Sequence, residues 1–71
     1  MNKHNLKVIC EQEKLYEVPH LNTKLYLQMK GFSKIENLEP YVNICALWLN
    51  QNTIPKIEGL DVLTKLRCLY L

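Results

Sequence analysis

Three tripeptides constrain the fold of this chain more than anything else in it. Leu25-Tyr26-Leu27 returns as Leu47-Trp48-Leu49 and again as Leu69-Tyr70-Leu71, each time 22 residues further on. The same offset relates Phe32 to Ile54, Leu38 to Leu60, Ile44 to Leu66, and the triplet Lys34-Ile35-Glu36 to Lys56-Ile57-Glu58. So many apolar residues in one register mean that a single structural unit is repeated, each copy burying its apolar side against the next. Residues 22–71 hold about two full units and the strand of a third.

The best-formed unit runs from Ile44 to Ile54 and follows the leucine-rich pattern L-x-x-L-x-L-x-x-N-x-L, with isoleucine in the outer positions. Side chains alternate along a strand, so Leu47 and Leu49 enter the core, as do Leu25 and Leu27 one unit earlier, while Ala46, Trp48 and Asn50 face the other way. Ile54, Ile57 and Leu60 carry the core around the bend, and the step from 57 to 60 predicts a helical or 3₁₀ turn on the convex side. Asn52 falls where the chain leaves the strand, and its amide is suited to backbone groups of the bend that would otherwise be buried unpaired. The first unit departs from this pattern, with Lys30 in place of Asn52 and Asn22 in place of Ile44. A terminal unit meets solvent on one side, which accounts for its polarity, and Gly31 relieves the bend that lacks an asparagine. The expected fold is α/β: a leucine-rich repeat solenoid of short parallel strands with helical or 3₁₀ turns outside.

Residues 1–21 precede the repeats and read as a cap. Leu6, Ile9 and Cys10 share one helical face, Asn2 or Asn5 supplies the N-cap, Glu11 to Lys14 face water, and Pro19 ends the helix before Leu21. No matching cap follows residue 71, so the expectation is a solenoid capped at one end and cut at the other, marginally stable by itself.

The repeat also designates a surface. Tyr26, Trp48 and Tyr70 occupy one outward strand position in successive units, and parallel strands about 4.8 Å apart would line the rings up as a ladder on the concave face. Two readings stand side by side. Tyrosine and tryptophan are favoured interface anchors, which makes the row a partner-binding surface together with Gln28 and Asn50 and flanked by Lys24, Ala46 and Cys68. Alternatively the rings stack on each other and shield the sheet. The remaining chemistry is sparse. Cys10, Cys45 and Cys68 form no CxxC pair, His4 and His20 are isolated, and the acidic residues are dispersed. Neither a metal or cofactor site nor a catalytic set emerges, so the chain reads as non-enzymatic. A net charge of +2 and pI near 8.5 are too mild to point to nucleic acid or a membrane surface. With no secretory signal and no long apolar run, the default location is the cytoplasm.

The Lys34-Ile35-Glu36-Asn37-Leu38 and Lys56-Ile57-Glu58-Gly59-Leu60 segments resemble the 22-residue leucine-rich repeat subfamily, which includes a regulator of protein phosphatase 1. Within it the chain resembles the axonemal dynein assembly factors. The likeness rests on Ile9-Cys10, Lys14-Leu15-Tyr16, Lys30-Gly31-Phe32, Leu47-Trp48-Leu49 and Leu66-Arg67-Cys68-Leu69. It spans the cap as well as the repeats; Pro55 and the stretch 40–43 depart from it. The resemblance implies a scaffold in the cytoplasmic preassembly of dynein arms for cilia, with dynein chains or assembly co-chaperones as protein partners. A phosphatase-regulatory subunit is the competing class.

Overall fold

A computed structural model describes all 71 residues. One helix, α1 (Lys3–Gln12), is followed by a 3₁₀ turn (Pro19–Leu21) and three short strands, β1 (Lys24–Tyr26), β2 (Ala46–Trp48) and β3 (Cys68–Tyr70). The strands form one parallel sheet in the order β1-β2-β3. Its register pairs Leu25 with Leu47 and Leu47 with Leu69, so the 22-residue offset of the sequence becomes the hydrogen-bonding partner across the sheet.

The backbone repeats as faithfully as the side chains. Leu27 N–H donates to Trp48 O, and Leu49 N–H donates to Tyr70 O. Ala46 N–H reaches Thr23 O, and Cys68 N–H reaches Cys45 O. Left-handed residues recur at the same interval: Met29 and Gln51 just after the strands, and Asn37 and Gly59 on the far side. Gly59 has a second reason to be glycine, because a Cβ there would lie 3.0 Å from Ile35 O of the preceding repeat.

Those left-handed residues explain a departure from expectation. No helix or 3₁₀ turn forms over 57–60, because Gly59 (φ 73°) lies inside that span and a right-handed helix cannot pass through it. The convex side is built instead from paired turns. Tyr41 N–H bonds Leu38 O and Ile44 N–H bonds Tyr41 O; Leu63 to Leu60 and Leu66 to Leu63 repeat the pattern. Leu38, Tyr41 and Ile44 are all buried there, so Tyr41 is a core residue that the leucine pattern does not reveal. Ile57 is a second departure. It is 52% exposed, whereas Ile35 at the same position of the first repeat is 2% exposed. The second repeat lies over Ile35, and no repeat lies over Ile57. Ile54 and Leu60 are partly buried against the core.

The cap packs as its apolar face dictates. Asn2 accepts the Asn5 N–H at 2.7 Å as N-cap, and Leu6, Ile9 and Cys10 are buried in the same core as the strand leucines. The helix stops well before Pro19, at Glu13. Lys14 takes the left-handed conformation (φ 57°), its N–H bonds Glu11 O, and Leu15 N–H bonds Cys10 O. This is a Schellman closure with lysine in the place usually held by glycine. Pro19 instead begins the 3₁₀ turn, where its fixed φ is suited to a first position.

Asn22 is 1% exposed and is not turned to solvent, contrary to the sequence expectation. Its Oδ1 accepts Tyr16 N–H at 2.9 Å and its Nδ2 donates to Tyr16 O at 2.9 Å. The position that holds Ile44 in the second repeat is polar in the first because the link from the cap has no strand to satisfy its backbone.

Deep in the junction, burial pushes the Cys10 thiol upward, against the opposing pull of a hydrogen bond from Tyr41. Burial likewise pushes the Tyr41 hydroxyl up to about 12, the Cys10 charge and hydrogen bond adding to it. A pKa raised in the folded state leaves stability untouched below the unfolded value of 10 and removes it as pH climbs towards 12. From pH 10 to pH 12 the chain is therefore expected to lose about 2 kcal/mol more than a Tyr41→Phe variant, read as the difference in unfolding free energy from urea melts.

Candidate functional site

The outward face of the sheet carries the aromatic row. Strand alternation places Leu25, Leu47 and Leu69 inward, so Tyr26, Trp48 and Tyr70 emerge on the opposite side. Parallel register then brings the rings together. The Tyr26 and Trp48 centroids are 4.7 Å apart with planes tilted by 36°, and those of Trp48 and Tyr70 are 4.8 Å apart at 14°. Tyr26 and Trp48 are half-buried by this stacking, while Tyr70, at the free edge, is 47% exposed.

Gln28 and Asn50 follow the strands on the same alternation and are also half-buried. Gln28 Oε1 and Asn50 Oδ1 are both shielded from water and have no hydrogen-bond partner. Such an acceptor costs about 1–3 kcal/mol, and here it occurs at the same position of both repeats. Of the flanking residues, Ala46 is half-buried, while Lys24 and Cys68 are exposed. The three cysteines are free thiols.

Beneath the row, Leu25, Leu27, Leu47 and Leu49 are buried. Asn52 holds the bend together. Its Oδ1 accepts Lys30 N–H at 3.1 Å and Phe32 N–H at 3.0 Å, and its Nδ2 donates to Leu27 O at 2.7 Å and Leu49 O at 2.9 Å. The asparagine thus serves the bend of the preceding repeat as well as its own. The first repeat needs no asparagine at Lys30, since the second repeat supplies it, and the Lys30 side chain is free to pair with Glu13 of the cap at 3.7 Å.

Three asparagines outside the leucine pattern do related work. Besides Asn22, Asn37 Nδ2 donates to Met1 O at 2.6 Å, and Asn43 Nδ2 donates to His20 O at 2.7 Å. Each ties the first repeat to the cap. Their common signal is an asparagine at a non-strand position of that repeat, which a leucine template does not score.

Parallel strands at a 22-residue interval, inward leucines and an asparagine bridging successive bends define a leucine-rich repeat unit. The chain is 48% identical over 63 residues to the leucine-rich repeat-containing protein ODA7 of Chlamydomonas reinhardtii, covering 89% of this chain and 15% of that protein. It is 54% identical over 49 residues to dynein axonemal assembly factor 1 of Homo sapiens, covering 69% of this chain and 7% of that protein. A dynein axonemal assembly factor 1 homolog of Drosophila erecta matches at 49% identity over 54 residues, 76% of this chain and 4% of that protein. The chain is a homologue of the dynein axonemal assembly factor 1 proteins over most of its own length, and it spans a small fraction of theirs. No family model matches it, and no solved structure does either.

Two outcomes follow from the geometry. Removing the Asn52 side chain strands two backbone N–H groups and two carbonyls, so Asn52→Ala is expected to cost about 2–4 kcal/mol by urea denaturation. The Tyr26–Trp48 stack is expected to show a coupling of about 0.5–1.5 kcal/mol in a double-mutant cycle with alanine at both positions. A coupling near zero would mean that the rings are neighbours without interacting.

Proposed function

We propose that the chain is part of a leucine-rich repeat solenoid that acts without catalysis, as a protein scaffold in the cytoplasmic preassembly of axonemal dynein arms. The observation that carries this reading is the homology: relatives about half identical over most of the chain bear the name dynein axonemal assembly factor 1. The concave face is the working surface, with Trp48 at its centre and Tyr26, Tyr70, Gln28 and Asn50 around it. Dynein chains or assembly co-chaperones are its clients.

Physical support comes from the two orphaned acceptors. The two acceptors are closed to solvent in the free chain, so a partner's N–H groups reach them only where the Gln28 and Asn50 side chains turn outward. The aromatic row supplies rigid contact area with little entropy left to lose. No helix is long and apolar enough to cross a membrane. A phosphatase-regulatory subunit would use the same face, but the relatives' names favour the assembly factor.

The test uses the full-length parent protein in ciliated cells. Trp48→Ala is expected to reduce co-precipitated dynein chains or co-chaperones about tenfold or more, consistent with loss of a central aromatic anchor, while the far-UV circular dichroism spectrum stays unchanged. Recovery of a phosphatase catalytic subunit without dynein chains would replace this reading with the regulatory one.

A further inference from the structure

We propose that the open face of the sheet takes a proline-rich segment in the polyproline II conformation, a ligand that brings carbonyl acceptors and few N–H donors. The inference rests on the reading of this face as a partner-binding surface and names the partner's chemistry.

The polar groups of the face are sorted by kind. The side-chain carbonyls of Gln28 and Asn50 are shielded and unpaired. Their NH2 groups, the Trp48 indole N–H and the Tyr26 hydroxyl are neither shielded in that way nor bonded within the chain, so they are open to solvent. In the free chain both amides therefore present donors and withhold acceptors. The rings add to this polarity. Trp48 is sandwiched between Tyr26 at 4.7 Å and Tyr70 at 4.8 Å. Ring faces carry the negative part of the quadrupole and are turned to each other, while the edges left outward carry the positive part. A cation seeking the faces of Trp48 finds them occupied. The seven carboxylates of the chain all lie in the cap or the bends, none in a strand. Lys24 is the one charged side chain at the outward strand positions.

Three peptide conformations meet such a face differently. An α-helix has spent its carbonyls on its own turns and brings no backbone acceptor. An extended strand brings an N–H with each carbonyl, and the amide carbonyls that could receive it are closed. A proline-rich polyproline II segment makes no internal hydrogen bonds and lacks the N–H at every proline, so it brings acceptors almost alone. Its dimensions fit as well. One turn of three residues rises about 9 Å, and the steps of 4.7 and 4.8 Å along the row cover about that length. Prolines one turn apart would then meet Tyr26 and Tyr70, with Trp48 between them. An acidic segment also brings acceptors, but the half-buried rings would strip water from its carboxylates with one lysine to compensate.

Trp48 is the only tryptophan of the chain, so its fluorescence reports on the face directly. The experiment is a titration of the 71-residue chain with a blocked oligoproline peptide, with Gly-Ser and oligoglutamate peptides of equal length as references. A saturable change is expected with oligoproline, none with Gly-Ser, and a weaker one with oligoglutamate. The oligoproline response should not fade as salt rises, since no ion pair forms. Gln28→Glu/Asn50→Asp exchanges both donors for acceptors of the same shape and should weaken binding about tenfold or more. Tyr70→Ala, at the exposed end of the row, should weaken it about fivefold, and it decides the matter should the double variant lose its thermal unfolding transition. Tighter binding of oligoglutamate, or oligoproline binding that survives these variants, would overturn the proposal. An absent oligoproline response, with Trp48→Ala still depriving the full-length parent protein of its clients, would overturn the proline chemistry and leave the partner-binding face standing. A Trp48→Ala parent that keeps its clients would overturn the face itself.

Discussion

Three hydrogen bonds from one side chain join the second repeat to the first, and a fourth holds that side chain to its own strand. Asn52 accepts from Lys30 and Phe32 and donates to Leu27 and Leu49, so its amide uses two acceptor and two donor positions on backbone that turns away from the sheet. Without such a partner the part-buried Phe32 N–H and the Leu27 and Leu49 carbonyls would lose their side-chain bond where the chain leaves the sheet. The strands, the burial of Ile35 and Phe32, and the alignment of rings on the open face all presuppose that the two bends lie directly over each other. The amide fixes that alignment.

The cap solves the same problem with different chemistry. At the first repeat no preceding bend exists to receive an asparagine, and the chain arriving from α1 is irregular. Asn22, Asn37 and Asn43 each reach back to a backbone group of residues 1–21. Asn22 is the clearest case. It takes a position that belongs to an aliphatic residue in the next repeat and spends full burial on a two-way bond with Tyr16. A fully buried polar side chain is tolerated there because both ends of its amide are satisfied.

What the sequence made legible was everything that depends on period. Strand positions, inward leucines, the ring row, the helical face Leu6-Ile9-Cys10 and the bend-serving role of Asn52 follow from spacing alone. What it hid depends on particular neighbours. Ile35 and Ile57 are the same residue in the same motif, yet only Ile35 has a repeat lying over it. Tyr41 and Leu63 share a core position but differ in chemistry, so the match does not register by eye. Lys14 closes a helix in the conformation usually left to glycine, which removed the stop signal and shifted the apparent helix end to Pro19. The 57-to-60 step predicts a helical turn, and the left-handed Gly59 inside that step forbids it.

The aromatic row and the orphaned acceptors carry different weight as signs of a partner. Ring separations of 4.7 and 4.8 Å equal the spacing between strands, so stacking follows from register once aromatic residues stand in the same position. Stacking alone therefore serves the sheet as well as it serves a ligand. Gln28 and Asn50 differ, because nothing in the register requires their carbonyls to be unpaired. Polar atoms shielded at equivalent positions of both repeats, beside rings held against each other, are the two features on which the proposed recognition surface rests.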